Sequence, residues 1–194
     1  MIEQAPTTEQ EKRVFDLEAE IAEKKKELRK LRAEIPPTEV SDYTFEDNLG
    51  EEVKLSELFG DKNELILISN MGKSCAYCTL WADNFNGIVK PLNDRAAFAV
   101  VSPDSPQVQK EFAASRDWKF LMASHLNNNW AIDFGFQGED HILPGVASFT
   151  KDESGKIFFH SKAFFGPGDN YCSMWDFIDL LPKGVDGWMP KYDY

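Results

Sequence analysis

At 194 residues, with 42% hydrophobic, 13% aromatic and 28% charged side chains, the chain can build one domain with a sizeable core plus an appendage, and its composition argues against long disorder. Its formal charge of -12 disfavours nucleic acid and anionic membranes as partners, because both are polyanions that need a basic footprint. No apolar run reaches the roughly 18 residues needed to span a bilayer, and MIEQAPTTEQEK lacks the apolar centre of a secretory signal, so a cytoplasmic location is expected.

Thr8-Glu9-Gln10-Glu11 has the pattern of a capping box at a helix start. Val14, Leu17, Ile21, Leu28, Leu31 and Ile35 then keep a 3-4 spacing, with Lys24 in the slot where an apolar residue is missing, and Pro36-Pro37 ends the pattern. From Thr8 to Ile35 this predicts a rod of roughly 40 Å at 1.5 Å per residue. Its single narrow seam must be covered, either by a second copy in a coiled-coil homodimer or by packing as an arm on its own domain or a partner. Glutamates interleave with Lys24-Lys25-Lys26 and Arg29-Lys30, so these basic residues read as a solvated face.

Tyr43-Thr44-Phe45, the turn residues Asp47 to Gly50 and Glu52-Val53-Lys54 predict a hairpin. Leu55 to Phe59 predicts one or two helical turns closed by Gly60. Strands are expected at Leu65–Ser69, Ala96–Ser102, Trp118–Ala123 and Gly145–Thr150, the last turning through Asp152 to Gly155 into Lys156–His160. Helices are expected from Cys75 through Ile88, kinking or stopping at Pro91, from Pro106 to Arg116, and from a cap at Asp169 or Asn170 to Leu181. Residues 124–137 are polar and rich in asparagine; Trp130, Ile132, Phe134 and Phe136 alternate there and fit a strand or a turn-rich covering segment, and the stretch is read as irregular. Alternating strands and helices over residues 65–123 imply parallel βαβ connections.

The chemistry concentrates in Cys75-Ala76-Tyr77-Cys78, placed where a strand and a short polar link give way to a helix. Thiols three apart share one face of a first helical turn and can close a small disulfide ring. Unpaired N–H groups at the helix start favour a thiolate at the first of them, so Cys75 is the candidate attacking thiol and Cys78 the resolving one. The competing readings are half of a zinc site, completed by Cys172 with His125, His141 or His160, or two inert buried thiols. No second CxxC and no paired histidine spacing exists, and the redox reading needs no metal or other cofactor. Cys172 reads as core, and Asp83 as a proton carrier for Cys78 or a surface acid.

The order of hairpin, strand, CxxC helix, buried strand, helix, strand, proline, hairpin and terminal helix resembles the peroxiredoxin-like branch of the thioredoxin fold, an α/β architecture. More narrowly the chain resembles the thioredoxin-like family known as Domain of Unknown Function 899, described as predicted dithiol-disulfide oxidoreductases. The carrying residues are the basic helix ending in Pro36, Tyr43-Thr44-Phe45, the CxxC followed by Ala82-Asp83, Val100-Val101-Ser102, Pro144-Gly145 and Asp179 to Gly184. The resemblance implies a helical arm over residues 1–37 and a thioredoxin-like domain over 38–194. It also implies a cis bond at Pro144, whose backbone edge would receive a disulfide substrate beside Ser74 and Tyr77. Two departures are plain. Ser74 and Ala76-Tyr77 replace the Trp and Gly-Pro of thioredoxins proper, and Gly72 stands where peroxiredoxins place threonine, which argues against peroxidase chemistry.

Two functions follow. The first is thiol-disulfide exchange with a protein or small-molecule disulfide or dithiol. The second is a non-catalytic thioredoxin-like binding module assembling through its N-terminal helix.

Overall fold

The computed structural model describes residues 8–194. The chain divides into a unit ending at Pro37 and a second spanning Thr38–Tyr194. The first is one helix, α1 (Glu9–Glu34), with the capping box formed: Thr8 Oγ1 accepts the Glu11 N–H at 3.1 Å, and the Glu11 carboxylate accepts the Thr8 N–H at 2.9 Å. Ile35 leaves the helix in extended geometry, as the following proline requires.

The second unit is built on one eight-stranded sheet. Its strands are β1 (Thr38–Val40), β2 (Thr44–Asp47), β3 (Glu52–Lys54), β4 (Glu64–Ser69), β5 (Ala97–Ser102), β6 (Leu121–Ser124), β7 (Gly145–Lys151) and β8 (Ile157–Phe164), in the order β1-β8-β7-β4-β5-β6-β2-β3. β4, β5 and β6 run parallel, joined by α2 (Ala76–Arg95) and α3 (Pro106–Ser115), and every other pairing is antiparallel.

Period-two alternation divides β4 and β5 between two cores. Leu65, Leu67, Ala97, Ala99 and Val101 face Trp130, Phe134 and Phe136, while Ile68, Phe98 and Val100 face Trp81, Phe85 and Trp175. All six residues of β5 are buried, which is why its sequence reads as an unbroken apolar run. No helix among the described residues is long and apolar enough to cross a membrane.

Several local expectations are corrected. Residues 130–133 form a helical turn, α4, that places Trp130 and Phe134 on one side and leaves Ile132 59% exposed, so the alternation there is not a strand. α2 continues through Pro91 to Arg95; the carbonyl that loses its partner belongs to Gly87, an exposed residue. Leu55 to Phe59 makes hydrogen-bonded turns rather than a helix. β1, unexpected from sequence, pairs with β8, which extends past His160 to Phe164. α5 (Met174–Asp179) starts after Ser173, while Asp169 accepts the backbone N–H groups of Gly166 and Tyr171.

Trp130 is fully buried against the rings of Phe45, Phe134 and Phe136. Trp130→Ala is expected to cost about 3–5 kcal/mol and lower the urea midpoint, whereas Ile132→Ala should stay within about 0.5 kcal/mol. Equilibrium urea unfolding of both variants checks this, and equal effects would contradict the helical turn.

Candidate active site

β4 ends at Ser69 between β5 and β7, and the backbone there is fixed before it reaches the cysteines. The Asn70 N–H donates to the Val101 carbonyl at 2.9 Å, and the Asn70 side-chain oxygen accepts the Gly72 N–H at 2.8 Å. The Lys73 N–H donates to the Asp104 carboxylate at 2.7 Å. Gly72 sits at φ +97°, and a Cβ added there would lie 2.8 Å from an Asp104 oxygen, so a side chain would be strained by the conformation and would have to displace the carboxylate.

Cys75 is the N-cap of α2. Its backbone is extended at φ -102° and ψ 105°, and its Sγ accepts the Cys78 N–H at 3.1 Å. The serine-like capping position thus carries a sulfur. Cys75 is half-buried; Cys78 lies behind it, buried, its Sγ accepting the Met71 N–H at 3.5 Å. The thiols are free. A hydrogen bond from the Cys78 thiol, opposed by burial and reinforced by the Cys78 and Tyr77 N–H groups, lowers the Cys75 pKa to about 6. The same bond, with burial and the negative charge of Cys75, pushes Cys78 far up. Between those limits the pair holds one proton, on the inner sulfur.

The other sequence candidates fall around this turn. Ser74 is exposed directly before Cys75. Tyr77 is half-buried, its ring 6.2 Å from both Trp81 and Trp175. Pro144 opens β7, whose Gly145 pairs with Ser69. Two expectations for Pro144 are corrected. The Leu143-Pro144 bond is trans, since no described peptide bond is cis. Its backbone edge is also occupied: the Leu143 N–H donates to Phe136 O at 2.6 Å, Leu143 O accepts from Ser69 Oγ at 2.9 Å, and Pro144 O accepts from Phe165 N–H at 2.8 Å. Gly145 is obligatory there, because a Cβ would come within 2.4 Å of the Ala163 carbonyl.

Asp83 is not free to carry protons, because it accepts both from the Arg116 guanidinium, at 2.5 Å, and from Trp118 Nε1, at 2.8 Å. Cys172 is buried among aromatic rings, and burial pushes its thiol up. Among the described residues no group of three or more His, Cys, Asp and Glu side chains is arranged to hold a metal ion. His160 hydrogen-bonds Thr150, and burial lowers His125 to about 4, leaving it neutral at pH 7. Two residues that no local motif in the sequence singles out also belong here, Asp104 and Tyr192. Burial raises the Tyr192 hydroxyl pKa, and the charge of Cys75 and Cys78 raises it further; the C-terminal segment is held where the Arg116 guanidinium donates to the Tyr192 carbonyl at 2.8 Å.

Three parallel strands joined by helices, an antiparallel hairpin on β4, and a half-buried cysteine capping the helix that follows β4 make up a thioredoxin-type fold, and the comparisons agree. Residues 3–193 match the family described as "Bacterial protein of unknown function (DUF899)", and the chain belongs to that family. Among solved structures it is similar to peroxidoxin BcpB from Mycobacterium tuberculosis, at 21% identity, TM-score 0.56, and coverage of 74% of this chain and 92% of that one. Similar too are AhpC from Enterococcus faecalis, at 18% identity, TM-score 0.54 and coverage of 70% and 83%, and a peroxiredoxin-like protein from Aquifex aeolicus, at 18%, 0.52, 66% and 74%. These likenesses establish the fold. No curated protein matches the chain.

Because Cys75 is depressed, its alkylation by iodoacetamide should be near its plateau at pH 7.5 and fall as pH drops through about 6. Cys78→Ala removes the hydrogen-bond donor, and the midpoint should rise by more than about one pH unit. Mass-spectrometric rates at Cys75 across pH 4–9, a range on the order of that needed to bracket both midpoints, check this.

Proposed function

We propose that the protein is a thiol-disulfide oxidoreductase with Cys75 as attacking and Cys78 as resolving thiol. The observation that carries this reading is the sulfur cap: Cys75 Sγ accepts the Cys78 N–H at 3.1 Å and titrates at about 6, while the buried Cys78 retains its proton. At neutral pH that is one thiolate facing outward and one thiol in reserve.

The Cys75 thiolate attacks one sulfur of a substrate disulfide. The substrate S–S bond breaks, the departing sulfur leaves as a thiolate that takes a proton from water, and a mixed disulfide remains on Cys75. Attack also removes two of the causes that keep Cys78 protonated, the hydrogen bond to a thiolate and the negative charge of Cys75, and leaves only its burial. Cys78 then loses its proton to water, attacks Cys75 Sγ and releases the second substrate thiolate. The substrate gains two electrons and the CxxC loses two, closing the Cys75-Cys78 ring. An external dithiol completes the cycle by the reverse exchange. Ser74 and the Tyr77 ring are the positions a docked disulfide meets; Pro144 offers its ring face, because the neighbouring backbone groups already have partners.

Cys78→Ser incubated with glutathione disulfide should accumulate one glutathione on Cys75, and wild type should end as the intramolecular disulfide. Cys75→Ser should lose at least about a hundredfold in exchange rate. Alkylation mass spectrometry reads all three. Reduced wild type that keeps both thiols alkylatable after mild oxidant would overturn the redox reading and favour the binding module.

A further inference from the structure

The helix α1 presents a stripe with no work in the chemistry above. Val14, Leu17, Ile21, Leu28, Leu31 and Ile35 are 45–58% exposed, and no residue of α1 is buried. Written as heptads, Val14, Ile21, Leu28 and Ile35 occupy one core position (a), and Leu17, Lys24 and Leu31 the other (d). β-Branched residues at a with leucine at d are the pattern that packs best in two parallel strands.

The flanking charges select the same geometry. In a parallel, in-register pair, each residue before an a position faces the residue five further along the second copy. Those facing pairs are Arg13 with Glu18, Glu20 with Lys25, and Glu27 with Arg32, opposite in sign at every step. An antiparallel pair that keeps the seam sets Glu20 against Glu27 or Glu34 of the second copy, a like-charge contact. Two features favour the antiparallel pair. The register that sets Glu20 against Glu27 also sets Arg13 against Glu34, which mixes attraction with repulsion where the parallel flanks are attractive throughout; and residues 9–21 carry five acids and two bases, whereas residues 22–34 carry six bases and three acids. That separation acts over more than the roughly 10 Å at which salt screens exposed charges, whereas the flanking pairs act at contact.

Lys24 is the apparent obstacle, since a parallel pair brings two copies of it together. Its Nζ turns out of the seam to the Glu27 carboxylate at 2.7 Å, leaving only its aliphatic stem at the core position. Such a residue weakens the pair while penalising shifted registers.

We propose that α1 pairs with α1 of a second copy as a parallel, in-register two-stranded coiled coil. Full-length protein should sediment as a dimer. Leu17→Glu combined with Leu31→Glu should make it a monomer with unchanged near-ultraviolet circular dichroism, and Lys24→Leu should tighten the dimer at least about tenfold, which is 1.4 kcal/mol. Gln10 occupies a d position beyond the apolar seam, so Gln10→Cys in a Cys75→Ser, Cys78→Ser background should cross-link between copies under copper-phenanthroline. In an antiparallel pair centred on the seam the two positions would stand roughly 37 Å apart along the axis. A full-length monomer, a higher oligomer, a dimer that survives the double glutamate change, or a dimer without the Gln10→Cys cross-link would each overturn the proposal.

Discussion

The N–H of Cys78 directed at the Cys75 sulfur is the contact from which the rest of the site follows. It exists because Cys75 stands outside the helix in extended geometry, with its side chain folded back over the first turn, as serine or aspartate does at an ordinary N-cap. Two consequences come together. The outer sulfur gains N–H donors that favour its charged form, and the inner sulfur is fixed one turn later, behind it and away from water. The dithiol is therefore asymmetric: identical side chains differ because one caps a helix and the other is buried.

That asymmetry needs a backbone that cannot drift. β4 supplies it by lying between β5 and β7 with apolar side chains packed on both faces, so its C-terminal end is held from two sides. Hydrogen bonds continue the constraint past the end of the strand, through Asn70 to Val101 and Gly72 and through Asp104 to Lys73. A charge-assisted bond such as that of Asp104 is worth about 1.5–3 kcal/mol. The polar link is thus ordered despite its exposure, and it delivers the chain to Cys75 at the C-terminal edge of the parallel strands, where open α/β sheets place their sites.

The parts legible in the sequence share one property: their signals are local. Leu65 to Ser69 and Ala97 to Val101 read as strands because burial on both faces demands consecutive apolar residues, and the Thr8 cap is completed within four residues. The parts that were not legible depend on partners distant in the chain. Asp83 is an ordinary helix acid until Arg116 and Trp118 close on it. The backbone beside Pro144 is occupied by Phe136, Ser69 and Phe165, and the first of these lies in the segment whose alternation concealed α4. Pro91 misled for the opposite reason, since a local rule was overridden by the exposure of Gly87.

The same reasoning separates fold from chemistry. The peroxiredoxin-like likeness concerns the sheet and its helices, and a shared sheet hosts many reactions. The difference is built into one loop residue. A threonine three positions before the outer cysteine would need a β-branched side chain at φ +97°, in space already held by the Asp104 carboxylate. That carboxylate is in turn required where it is, because it fixes Lys73 and so the approach to Cys75. Gly72 and Asp104 consequently form a matched pair: the glycine takes the positive φ and leaves room for the carboxylate, and a Cβ there would have to displace that carboxylate from Lys73. Their coupling shapes the loop for a capped dithiol at the expense of a hydroxyl beside the outer sulfur.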